Sequence, residues 1–105
     1  MVLYYKPHIP KTMDDLMSQL SFMLLKAPTY EDPEFPGRNV ETAFMQLNEG
    51  LKNVRAELGE ARYEALMALS DKARAHFEAD PEDDNGQTRA GRRLILDMEA
   101  MLGKA

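Results

Sequence analysis

Between Asn39 and Gly59 the apolar residues Val40, Ala43, Phe44, Leu47, Leu51, Val54 and Leu58 recur three or four positions apart. That spacing places all seven on one face of an α-helix, whereas a strand, with its period of two, would scatter them over both sides. Asn39 offers an oxygen to the first free backbone N–H groups, and Gly59 accepts the left-handed geometry in which helices commonly end. The sequence therefore predicts a helix over 39–58. A helix with one apolar face has to bury it against other elements.

The rest of the chain offers helices for that purpose and no sheet. Thr12 followed by Asp15 forms a capping box with Asp in the place of Glu, ahead of Met13, Leu16, Leu20, Met23 and Leu24. A helix over 12–27 is expected, ended by Pro28, which disfavours helical geometry in the residue before it. From 60 to 78, Tyr63, Leu66, Leu69 or Ser70, Ala73 and Phe77 face inward, and the short connection at Gly59 makes this helix fold back on the preceding one as an antiparallel hairpin. A last helix over 87–102 presents Ala90 or Gly91, Leu94, Ile95, Met98, Met101 and Leu102. Leu, Met and Ala dominate the apolar residues and β-branched ones are few, which favours helix over strand. The expected fold is a single all-α domain of 105 residues: four helices, an extended N-terminal arm over 1–11 with Leu3, Tyr4 and Tyr5 laid over the core, and loops over 28–38 and 79–86.

Two details inside that frame need tertiary answers. Gly50 sits within the second helix, where it costs about 1 kcal/mol against Ala, so it marks either a close approach by a neighbour or simple tolerance. In the loop over 79–86, Asp80 as cap and Pro81 at a first helical position predict a brief helical turn.

The chain has no cysteine, which excludes disulfides, thiolate metal sites and a cysteine nucleophile. Its net charge is −5, with the acidic excess spread along the whole length. Uniform acidity serves solubility, argues against nucleic-acid binding, which needs a basic face, and leans towards a basic protein partner. Met1 to Pro10 holds no sustained apolar run, so neither a signal peptide nor a membrane anchor is expected there, and a cytoplasmic location follows as the default.

Motifs for chemistry are missing or broken. With Gly86 at the sixth place of a calcium loop, Asp83 and Asn85 fall at the third and fifth, but Pro81 and Arg92 stand where the chelating ends belong. Gly86 and Gly91 imitate the glycine spacing of a phosphate-binding loop, yet Arg92 and Arg93 replace its Lys and hydroxyl residue and no strand precedes it. Neither metal nor cofactor is expected. Arg89, Arg92 and Arg93 crowd the start of the last helix and form a candidate anion-binding set. Combined with His76 they define one candidate reading: a small helical ligand-binding or enzymatic domain. The favoured reading is a non-enzymatic, acidic protein-interaction domain, a bacterial-type regulator or an inhibitor of the immunity or antitoxin kind, with a protein partner or self-association. Its candidate contacts are Tyr30 and Phe35 in the proline-bearing loop over 28–38, with Met17, Phe22, Met45 and Met67, which lie beside the main stripes and form a second apolar face.

Overall fold

The structure, a computed structural model, describes residues 8–31 and 39–103 and holds five helices: α1 (Met13–Lys26), α2 (Val40–Asn53), α3 (Arg55–Leu58), α4 (Glu60–Glu78) and α5 (Gln87–Gly103). No strand occurs among the described residues. The all-α expectation holds, with one correction. The helix predicted over 39–58 is two helices, because Val54 leaves helical geometry at φ −108° and ψ 14°. The bend redirects the last turn so that both Val54 and Leu58 stay buried in the core. A straight helix would have drifted away from that core, since its apolar stripe winds slowly about the axis.

Both predicted N-cap side chains bond as expected, but the box at Thr12 is only half closed, because Asp15 Oδ2 accepts from the Lys11 N–H at 3.1 Å in place of the Thr12 N–H. Thr12 Oγ1 accepts from the Asp15 N–H at 3.1 Å, and Asn39 Oδ1 accepts from the Thr42 N–H at 2.8 Å. The four long helices close a ring in which α1 packs on α2, α2 on α4, α4 on α5 and α5 back on α1. Polar bonds mark all four seams, His76 with Gln87 joining α4 to α5. Gln19 Nε2 donates to the Ala43 carbonyl at 3.2 Å, Ser70 Oγ to Asn48 Oδ1 at 2.7 Å, and Arg92 Nη2 to the Ala27 carbonyl at 3.3 Å. The fourth seam, α4 on α5, is the longest. There Gly91 admits the Phe77 ring so closely that a Cβ atom would lie 2.6 Å from it.

The stripes read from the sequence are the core: Leu16, Leu20 and Met23 from α1, Phe44, Leu47 and Leu51 from α2, Leu66 and Phe77 from α4, Ile95 and Met98 from α5. Where the sequence left a choice, Ser70 and Gly91 are the buried members. Residues 8–10 of the expected arm lie along α2. Gln46 Nε2 donates to the His8 carbonyl and Asn53 Nδ2 to the Pro10 carbonyl, each at 2.8 Å. Between them sits Gly50, where a Cβ would come within 2.8 Å of both Pro10 and Leu16. Close approach therefore explains that glycine. Leu3, Tyr4 and Tyr5 lie outside the described residues. No described helix is long and apolar enough to cross a membrane.

Candidate functional site

The loop between α4 and α5 is organised around Asp80, whose side chain is fully buried. The helical turn expected at Pro81 does not form. Asp80 Oδ1 accepts from the N–H groups of Asp84 at 2.8 Å and Asn85 at 3.2 Å, and Oδ2 reaches forward to the Thr88 N–H at 2.9 Å. A carboxylate that curls the chain back onto itself in this way leaves no room for a helix at Pro81. The Asp83 N–H closes a turn on the Asp80 carbonyl at 3.1 Å, with Asp83 (φ 53°) and Gly86 (φ 86°) in left-handed backbone. Burial pushes the Asp80 carboxyl pKa up, but the Thr88, Asp84 and Asn85 amides and the Thr88 hydroxyl together outweigh it and hold the group below its ordinary value. The result is an ionised cap for the start of α5. Among the described residues no group of three His, Asp or Glu side chains is placed to hold a metal.

His76 Nδ1 meets Gln87 Oε1 at 2.5 Å; an amide oxygen only accepts, so the ring nitrogen donates. The three arginines of α5 diverge. Arg92 turns to the end of α1, Arg93 lies 3.7 Å from Asp97, and Arg89 stands exposed. No contact among the described residues joins His76 to any of them.

The candidate partner-binding residues separate as sharply. Tyr30, 1% exposed, is a core residue and offers no surface for docking. The chain enters left-handed backbone there (φ 62°) after the Tyr30 N–H has closed a last turn on the Lys26 carbonyl at 3.0 Å. Its ring then points inward among Phe22, Phe44 and Phe77, with centroids 6.3, 6.1 and 5.7 Å away and the latter two edge-on. Burial holds the Tyr30 phenol pKa well above its ordinary value, with the nearby Arg92 charge opposing. Met17, Phe22 and Met67 are half-buried and pack against the core, while Met45 is 38% exposed. Phe35 lies outside the described residues.

Among the described residues the most exposed large apolar side chains lie outside the candidate contacts read from the sequence: Leu25 on α1, 79% exposed, and Leu96 on α5, 48% exposed. A signal for Leu25 was available. It is nine residues after Leu16, which at 100° per residue puts it about 180° from the buried stripe. Compared with protein-family models, curated proteins and solved structures, the chain matches none.

Proposed function

We propose that the chain is a non-enzymatic protein-interaction domain, of the kind represented by small acidic regulators and by inhibitors of the immunity or antitoxin type. The observation that carries the reading is Leu25, a large apolar side chain held in solvent on the side of α1 opposite its buried stripe. Leu96 and Met45 add to it on α5 and α2. The groups that catalysis would draw on are engaged in holding the fold. Asp80 caps α5, Ser70 pairs with Asn48, His76 with Gln87, and Arg92 with the end of α1. Side chains already fixed by structural partners are poorly placed to exchange protons with a substrate.

The test is affinity isolation of the tagged chain from its native cells, together with light scattering of the purified protein over a range of concentrations. A stoichiometric protein partner, or concentration-dependent self-association, is expected. A strictly monomeric chain with no stoichiometric partner overturns the reading.

A further inference from the structure

We propose that Asn85 is a site of spontaneous modification: its side-chain amide closes on the Gly86 nitrogen, loses ammonia and becomes an aspartyl or isoaspartyl residue, which loosens the cap of α5. The inference is independent of the interaction reading. The chain has four asparagines, followed in turn by Val40, Glu49, Val54 and Gly86. A side chain on the following residue crowds the attacking nitrogen. Only Gly86 brings no Cβ to that position.

The local geometry favours the attack. Asn85 and Gly86 are both exposed. Asn85 Oδ1 accepts from the Gln87 N–H at 3.0 Å, an Asx turn that folds the side-chain amide back over the intervening Gly86 peptide. The same bond polarises the amide carbonyl and stabilises the negative charge that collects on Oδ1 when Cγ is attacked. Asn85 Nδ2 donates to the Ala79 carbonyl at 3.0 Å, which steadies the amide in that turn. The Gly86 N–H, the nucleophile, has no hydrogen-bond partner among the described residues. The acids around it, Asp80 and the exposed Glu82, Asp83 and Asp84, disfavour a deprotonated nitrogen. Three backbone N–H groups already draw on the Asp80 charge, and the partly positive start of α5 offsets the others.

The reaction is redox-neutral and consumes only water. The Gly86 nitrogen gives its proton to hydroxide and bonds to Cγ. The Cγ–Nδ2 bond then breaks, Nδ2 takes a proton from water and leaves as ammonia, and a succinimide ring remains. Water opens the ring at one or the other carbonyl–nitrogen bond, giving the aspartyl or the isoaspartyl product. Either product replaces the Nδ2 donor with a carboxylate that faces the Ala79 carbonyl and stands beside Asp80. The isoaspartyl product also adds a carbon to the backbone between the Asn85 and Thr88 N–H groups, both of which Asp80 holds.

The test ages the purified full chain at mildly alkaline pH, once folded and once in guanidinium chloride, and follows the tryptic peptide of residues 75–89 by mass spectrometry. Conversion at Asn85 is expected at a rate proportional to hydroxide and no lower in the folded chain than in the unfolded one, with Asn39, Asn48 and Asn53 intact. Gln87→Pro removes the N–H that polarises the amide, at a first helical position where proline is accepted. It should slow conversion in the folded chain by about tenfold, the worth of one net hydrogen bond. Gln87→Ala keeps that N–H while removing the contact with His76, and should convert at the native rate. The aged chain should melt about 5 °C below the fresh one, the loss of one hydrogen bond in a domain of this size. Asn85→Asp, which carries the charge without the extra backbone carbon, should fall between the two. An intact Asn85 in the folded chain, a folded rate below the unfolded one, a native rate in Gln87→Pro, or an aged chain that melts with the fresh one overturns the proposal. Where Gln87→Pro lacks the native circular dichroism, the folded and unfolded rates of the native chain decide.

Discussion

Gly91→Ala is the substitution for which the structure gives the sharpest sign. In an exposed helix interior the change stabilises by about 1 kcal/mol, because alanine restricts the unfolded chain and suits the helix. At position 91 the added Cβ would lie 2.6, 2.8 and 2.9 Å from three carbons of the Phe77 ring, well inside ordinary contact distance. That ring cannot swing aside freely, since it packs edge-on against Tyr30 at 5.7 Å and lies 6.1 Å from Phe44. Overpacking of this kind costs about 1–3 kcal/mol, and a ring held on two sides belongs at the upper end. After the helix gain is subtracted, the net loss is about 2 kcal/mol, a fall in Tm of roughly 10 °C for a domain of this size. Thermal and urea unfolding measure it, with Gly91→Ala made in both the native and the Phe77→Leu backgrounds. The smaller side chain should relieve the clash, so that the penalty disappears or reverses in the second background. A Tm at or above that of the native chain, or a penalty undiminished in the Phe77→Leu background, refutes the reasoning.

Tyr30→Phe should raise stability by about 1 kcal/mol, because the buried hydroxyl has no hydrogen-bond partner among the described residues; a lowered Tm would show that it has one. The raised phenol pKa means that the fold favours the neutral form, so this contribution is whole below pH of about 10 and is lost as pH rises beyond it, and Tyr30→Phe should flatten that alkaline limb. Asp80→Asn should lower the unfolding midpoint and flatten the acid limb: a depressed carboxyl pKa gives stability that is present above pH of about 4 and lost as pH falls through the folded value. A variant with the native acid profile would remove Asp80 from its capping role. Asn53→Ala should cost about 1 kcal/mol and loosen residues 8–10, read as faster tryptic cleavage after Lys11; unchanged cleavage would show that the amide bond to the Pro10 carbonyl is not what holds the arm.

The buried stripes of the four long helices were legible because helical burial repeats locally. Once Leu16, Leu20 and Met23, or Tyr63, Leu66 and Phe77, occupy one face, any compact arrangement buries that face. The misreadings share the opposite property. The break at Val54 depends on where the core lies beyond the end of α2, and no local signal records that. Asp80 looked like the cap of a turn beginning at Pro81, but its carboxylate serves Thr88, eight residues on, a choice fixed by the packing of α5 against α4. Tyr30 read as a loop aromatic free to meet a partner. The space between Phe44 and Phe77 that it fills exists only after α2 and α4 have packed. Gly50 carried a hint, since close approach was one of its two readings, without naming the neighbour; Gly91 carried none, and the Phe77 ring that needs it is known only from the packing of α5 on α4.

The buried polar groups single out one seam of the ring. Those elsewhere in the ring are satisfied: Gln19 by Ala43, Gln46 by His8, Ser70 by Asn48, and Asp80 and Thr88 by each other. The buried side-chain atoms without a partner among the described residues are the Tyr30 hydroxyl, Arg92 Nε and Glu99 Oε1. Arg92 and Glu99 stand seven residues apart, two turns of α5, and so share one flank of that helix, while Tyr30 follows α1 and feels the Arg92 charge. Folded proteins leave few buried polar atoms unpaired, so their gathering along one seam calls for a physical reason. Atoms buried to this degree are out of reach of a docked chain, so an ordered water held within the seam, accepting from Arg92 Nε and donating to Glu99 Oε1, is the group that would complete them.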